Sequence, residues 1–215
     1  MTRLVILDFD GTLADTQPII IASVQATLRE LGLPARSDAE CAAIIGLPLA
    51  KCFTTLCEVD DDLAERCADV YRRVFDELNT DGTVCLFPHV LDTIKSLHAK
   101  GLQLAICSSR GRPTLEGFVK AFRLEDYVGM VVSANDVAHH KPHPEPVEVI
   151  LKSLNVSPAE ALVVGDASYD ILMGRAAGCR TCGVTYGNQS ADQLGAAGAE
   201  FLVDRFDSLL SLPVL

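Results

Sequence analysis

Short apolar runs bounded by turn residues recur along the chain, at Leu4–Leu7, Leu102–Cys107, Met130–Val132, Ala161–Val164 and Thr181–Val184. Most do not alternate with polar residues, which is the pattern of strands buried on both faces of a parallel sheet. Between them, apolar positions fall at helical spacing: Val90, Leu91, Ile94 and Leu97; Leu115, Phe118, Val119 and Phe122; Val147, Ile150, Leu151 and Leu154. A further helix is predicted over Tyr169 to Ala177. Strand–helix alternation of this kind predicts an α/β fold, a doubly wound parallel-sheet core of the Rossmann-like type. The alternation stops from Asp15 to about Val84, where Ile19–Leu31, Asp38–Ile45, Leu49–Leu56 and Asp62–Leu78 read as helices and no strand is convincing. The expected division is therefore an α/β core of residues 1–14 and 85–215 with residues 15–84 inserted as a helical cap domain. Within the insert, Asp60-Asp61-Asp62 reads as a helix start, where carboxylates cap free N–H groups, in preference to a metal-binding run.

The composition narrows the function classes. Of 215 residues, 49% are hydrophobic, which excludes disorder over most of the length and allows a sizeable core. Eighteen Lys+Arg against 29 Asp+Glu give a net charge of −11, which argues against a nucleic-acid partner. An anionic substrate then has to be held by local cations or a metal, because the global field repels it. The apolar stretch after Met1 is too short for a signal peptide or a membrane span, so the cytoplasm is the expected compartment. The eight cysteines are scattered, and Cys179-Arg-Thr-Cys182 reads as two small buried hydrophobes because no second ligand pair follows.

Two acidic strand ends carry the candidate chemistry. Asp8-Phe9-Asp10-Gly11-Thr12 follows the first apolar run directly, and residues i and i+2 at a strand end project to one side. That edge is where open α/β sheets bind ligands. Two carboxylates held together repel unless they share a cation, which points to a hard metal such as Mg²⁺. An Asp/Gly turn alone is common, but Gly165-Asp166-Ala-Ser-Tyr-Asp170 repeats the feature after another buried run. Between them lie Ser108, closing the run Leu102–Cys107, and Lys141, which Pro142 and Pro144 hold in a stiff backbone. His139, His140 and His143 around that lysine read as exposed loop residues.

In order and position, these four pieces resemble the motif set of the haloacid dehalogenase superfamily, and the resemblance covers essentially the whole chain. Thr12–Thr16 leading into a helical insert, Lys141–Pro144 and Ala176-Ala177-Gly178 look like the phosphoglycolate-phosphatase-like branch. The resemblance implies a phosphatase acting on a small phosphate monoester through an aspartyl-phosphate. Asp8 would be the nucleophile and Asp10 the general acid and base. Ser108 and Lys141 would bind the phosphoryl group, and Mg²⁺ would be held by Asp8, the backbone carbonyl of Asp10 and Asp166. Asp170 would serve as a further metal ligand or stand behind one. The expected partner is a small phosphorylated metabolite, with no nucleic acid and no membrane, and the expected state is a monomer or dimer.

The chain departs from the family pattern at Ala167, where Ser or Thr is frequent, at Ser109-Arg110, where Asn-Lys is frequent, and at His89, where glycine is common. A sugar phosphomutase of the β-phosphoglucomutase type carries a histidine in the first cap helix, and Thr16-Gln-Pro-Ile-Ile20 has none. Dehalogenases and phosphonoacetaldehyde hydrolases lack the second Asp of the first motif, which Asp10 supplies here. A pyrophosphatase on the same scaffold stays open. A non-enzymatic binding module is disfavoured because every ionisable motif position is kept. Gly46-Leu47-Pro48 is the cap turn expected to face the substrate, and Lys51 and Arg110 are candidate contacts for an anionic leaving group.

Overall fold

The computed structural model describes residues 1–80 and 82–215. Strand β1 (Leu4–Leu7) leads through the short β2 (Ala14–Asp15) into helices α1 (Gln17–Glu30), α2 (Asp38–Ala43), α3 (Leu49–Cys57) and α4 (Asp61–Leu78). The chain returns through β3 (Cys85–Leu86) and then alternates: α5 (Val90–Ala99), β4 (Gln103–Cys107), α6 (Arg112–Ala121), β5 (Met130–Val132), α7 (Glu145–Leu154), β6 (Ala161–Gly165), α8 (Ser168–Ala176), β7 (Arg180–Val184), α9 (Ala191–Ala197) and β8 (Phe201–Val203). Six strands form one parallel sheet in the order β5-β4-β1-β6-β7-β8. The chain moves outward from β1 first on one side and then on the other, so the sheet is doubly wound and β1 lies beside the switch point.

The apolar runs lack alternation because both sheet faces are covered. Val5, Leu7, Leu104, Ile106, Leu162 and Val164 enter one apolar cluster, whereas Leu4, Ile6, Ala105, Cys107, Ala161 and Val163 enter a second on the opposite face. The first cluster continues into the inserted helices through Phe53, Tyr71 and Phe75. Those helices pack mainly on one another, α4 against α1 and α3. The insert is joined to the sheet by β2 and β3, an antiparallel pair with Ala14 opposite Leu86 and Asp15 opposite Cys85.

Local chemistry sets the helix starts. The Asp60 carboxylate accepts the Leu63 N–H at 2.9 Å, so the acidic run opens α4 as a cap. Ser37 and Glu40 form a capping box at α2. His89, just before α5, has φ 67°, a left-handed conformation that glycine adopts without strain. All eight cysteines are free thiols, with Cys179 and Cys182 buried. Among the described residues, no helix is long and apolar enough to cross a membrane.

Candidate active site

The carboxyl ends of β1, β4 and β6 are neighbours in the sheet, so the residues that follow them meet at one edge. Asp8 continues the β1 pairing, its N–H donating to the Val164 carbonyl at 2.9 Å. The chain then folds back tightly, with the Phe9 carbonyl accepting from the amides of Leu13 and Ala14. Gly11 sits in that turn at φ 84°, and a Cβ there would lie 2.2 Å from an Asp166 carboxylate oxygen. Only glycine lets the turn and the second acidic strand end come this close. Gly165 plays the same part for Asp170, whose side chain fills the space a Cβ would need.

Asp8, Asp166 and Asp170 are buried together, each offering a carboxylate oxygen within 4.8 Å of the others. Lys141 reaches the group from the loop before α7, and its Nζ donates to Asp8 Oδ1 and to Asp170 Oδ1, each at 2.6 Å. The other Asp170 oxygen accepts the Ala167 N–H at 3.1 Å. Both Asp170 oxygens are therefore engaged, one of them in orienting the lysine. Asp166 Oδ2 accepts from the backbone and the side-chain amide of Asn188, at 2.7 and 2.6 Å. Among the described residues, its Oδ1 accepts only from the Thr12 hydroxyl, at 3.4 Å.

Three buried carboxylates and one ammonium leave an excess of negative charge. Burial pushes the Asp8 carboxyl well above its ordinary range, Asp170 and Asp166 push it further, and Lys141 opposes them. Burial and the charge of Asp170 raise Asp166 to about 7, against the Asn188 hydrogen bonds. Burial alone would lower the Lys141 ammonium, but Asp170 and Asp8 outweigh it and hold it well above its usual value. A cluster of oxygen donors with unbalanced charge fits a hard divalent cation, and among the described residues Asp166 Oδ1 has only the long Thr12 contact.

Asp10 is not part of that carboxylate cluster. Its carboxylate is clamped by Arg110, with Nη2 at 2.5 Å from Oδ1 and Nε at 3.1 Å from Oδ2. Ser108 is buried at the end of β4, and its hydroxyl oxygen accepts the Arg110 N–H at 3.1 Å, which leaves the O–H free to donate. Next to it, Ser109 donates to the carbonyl of Gly46 at 2.7 Å, bringing the Gly46-Leu47-Pro48 turn of the insert onto this edge. Lys51 is exposed on α3.

The structure thus gathers Asp8, Ser108, Lys141, Asp166 and Asp170 with Asp10 at one sheet edge. Three contributors escaped the sequence reading. Asn188 holds Asp166, Gly187 gives it room, and Tyr186 donates to the Thr12 carbonyl at 2.7 Å to brace the β1 turn. The signal was a polar Gly-Asn pair after β7, a fourth strand end at the same edge. The exposed histidines form a group of their own. His139, His143 and Glu145 also lie within ligand distance of one another, but Glu145 already accepts from the amides of Ala138 and His139, both at 2.9 Å.

Residues 5–184 match the model of the haloacid dehalogenase-like hydrolase family. A pyrophosphatase of Anoxybacillus flavithermus is 33% identical over 97% of this chain and 95% of its own length. A phosphoglycolate phosphatase of Salmonella typhimurium is also 33% identical, over 97% of this chain and 91% of its own length. Among solved structures, a hydrolase from Pseudomonas syringae superposes with a TM-score of 0.88 at 25% identity, covering 98% of this chain and 97% of that one. The matched motifs, the doubly wound sheet and the relatives converge: the chain belongs to the haloacid dehalogenase-like hydrolases, as an enzyme of their phosphatase branch that resembles phosphoglycolate phosphatase.

Proposed function

We propose that the protein hydrolyses a small phosphate monoester in two steps, through a phosphoryl group carried on Asp8. The observation that carries this reading is the Lys141 bridge between Asp8 and Asp170. It leaves Asp8 Oδ2 without a strong partner at the mouth of the sheet edge and aims it. In the first step Asp8 Oδ2 forms a bond to phosphorus, the ester P–O bond breaks, and Asp10 delivers a proton to the departing oxygen. In the second, Asp10 takes a proton from water, the new hydroxide attacks phosphorus, and the Asp8–phosphorus bond breaks to release phosphate. Ser108 donates to a phosphoryl oxygen, and Lys141 balances phosphoryl charge while fixing Asp8.

The donor set fits Mg²⁺, held by Asp8, Asp166 and the Asp10 backbone carbonyl, with Asp170 behind the site holding the lysine. When bound, such an ion supplies charge neutralisation for the approach of a carboxylate to a phosphate. Asn188 and Thr12 keep Asp166 oriented for that role. The inserted helices act as a lid, hinged at the β2–β3 pair, and limit the partner to a small phosphorylated metabolite. The eight free thiols suit a reducing compartment such as the cytoplasm. A pyrophosphate substrate is the second reading, favoured by the Anoxybacillus relative, which matches at the same identity as the phosphoglycolate phosphatase.

The test is phosphate release by metal-stripped protein from p-nitrophenyl phosphate, small esters, pyrophosphate and a folded phosphoprotein, with and without added Mg²⁺. Turnover that depends on the added ion supports the reading. Activity at full level in chelator, or a clear preference for a folded phosphoprotein over every small ester, overturns the metal assignment or the lid, respectively.

A further inference from the structure

Asp166 is held by a loop of the core, and that loop is in turn held by the insert. Asn188 donates to Asp166 Oδ2 twice, from its backbone N–H at 2.7 Å and from its side-chain Nδ2 at 2.6 Å. Gln189, the next residue, accepts the Ser168 N–H on its Oε1 at 2.8 Å, which pins the same loop to the start of α8. The other end of the Asn188 amide, Oδ1, accepts from Nε2 of Gln17 at 2.8 Å, across 171 positions of sequence. Gln17 is the first residue of α1, and Pro18 stiffens the backbone beside it. The Asn188 amide has little room to leave this line, because a Cβ on Gly11 would lie 2.4 Å from its Nδ2.

The chemistry gives the line a direction. An ionised carboxylate only accepts, so Asn188 has to present its NH₂ to Asp166 and its carbonyl oxygen to Gln17. Gln17 has to answer with its own NH₂, and each bond polarises the next. Turned over, the Asn188 amide would set two oxygens against each other at Asp166 Oδ2. The donor on Gln17 opposes that turn. Two N–H groups on Oδ2 stop the carboxylate from rotating, which leaves Oδ1, with its long contact to Thr12, as the oxygen for a cation. We infer that Gln17 is a positioning residue of the metal site, acting through Asn188 on Asp166, an inference that rests on the Mg²⁺ reading above. The insert thereby contributes to holding the ion without supplying a ligand to it. By linkage the reverse holds too: a bound ion favours the placement of α1 in which Gln17 reaches Asn188.

The experiment adds Mg²⁺ alone to the metal-stripped full chain and reads its dissociation constant from the rise in melting temperature. It compares the wild type, Gln17→Met, Gln17→Glu, Asn188→Ala and the double variant Gln17→Met/Asn188→Ala. Asn188→Ala raises the constant by about 10- to 100-fold, the range for losing an outer partner of a metal ligand. Gln17→Met keeps the bulk but loses the donor, and raises it by about three- to tenfold, the scale of one net hydrogen bond. Gln17→Glu discriminates most sharply. It offers Asn188 an acceptor where a donor is needed, so it weakens Mg²⁺ binding further than Gln17→Met does. Were the line inert, a carboxylate added near the site would attract the cation and tighten binding instead. In the Asn188→Ala chain, Gln17→Met changes the constant by less than about twofold, because the connection is already cut. Wild-type affinity in Gln17→Met overturns the inference. So does Mg²⁺ binding by Gln17→Glu as tight as that of Gln17→Met or tighter, or an undiminished effect of Gln17→Met in the Asn188→Ala chain. No Mg²⁺ binding by the wild type would instead refute the metal reading on which the inference stands.

Discussion

Among the described residues, two groups of three ligand-type side chains occur, and they have little else in common. Asp8, Asp166 and Asp170 are buried at the sheet edge, whereas His139 and His143 are exposed on the loop that carries Lys141 and Glu145 is half-buried at the start of α7. The first group is assembled by two chain segments, closes around a lysine from a third and carries unbalanced charge. The second is local, and its carboxylate is spent on two loop amides and on the His139 ring nitrogen, 2.6 Å away. Proximity of donors is therefore shared by both, and it is burial with uncompensated charge that marks the first as a site. The exposed group works for the buried one, because Glu145 ties down the segment three residues before Lys141.

The sharpest way to break this contrast is Asp8→Asn. It preserves shape and removes the attacking oxygen, so kcat should fall by about 10⁴-fold or more with Mg²⁺ present. Retention of wild-type turnover would put the nucleophile elsewhere. Lys141→Ala follows, with kcat/KM for p-nitrophenyl phosphate reduced by roughly 10²–10³-fold, the cost of removing one preorganised charge donor. Because it strands two buried carboxylates, it should also lower the melting temperature of the metal-free protein. A loss below about 1 kcal/mol in transition-state stabilisation would demote the lysine to the rank of an exposed ion pair.

A third test uses pH. Asp8 and Asp166 bind protons more tightly in the folded chain than in the unfolded one, Asp166 up to about 7. Between pH 4 and 7 the native state thus holds more protons than the unfolded state, and metal-free stability declines as pH rises through that window. A divalent cation needs these groups ionised, so it must displace protons at the acid end. The rise in melting temperature on adding Mg²⁺ should be several degrees larger at pH 8 than at pH 5.5. An increment independent of pH would show that the ion binds away from this cluster. The smallest effect belongs to the double variant His139→Ala/His143→Ala, for which we expect a stability change within about 0.5 kcal/mol, as for ordinary surface positions. Its response to Mg²⁺ should match the wild type, as measured by the same melting shifts.

The sheet was legible because burial on two faces writes continuous apolar runs, and β1, β4, β6 and β7 fall where those runs lie. The edge strand β8 left no such mark. It has three residues, and Leu202 is turned to solvent. The pair β2–β3 is too short for any periodicity. At the site, the acidic strand ends carried a signal because the feature recurs, after Leu4–Leu7 and again after Ala161–Val164. The Arg110–Asp10 clamp joins residues 100 positions apart, and it depends on rings supplied by α4 and α6, so spacing could not express it. Asn188 was hidden for a simpler reason: one amide in a polar turn looks like any other until the carboxylate it holds is known. Lys51 and Arg110 looked alike as cations in the sequence, and only burial separates them.

The hydrogen-bonded pair β2–β3 has a consequence for how this architecture can change. Ala14 and Asp15 face Leu86 and Cys85 directly, so the chain leaves the sheet and returns to it at a single doorway. The entropy of closing a loop is set there, by a two-residue ribbon, and grows only slowly with the length of chain beyond it. Beyond that doorway the core meets the inserted helices at a few places, Phe75 against Phe118 and Ser109 against Gly46 among them, and a different module would have to replace those contacts. Lineages can exchange the module while the acidic strand ends stay in register, and a protein engineer can do so at the same two crossings. New leaving-group preferences are then reached by grafting, with the phosphoryl chemistry inherited intact.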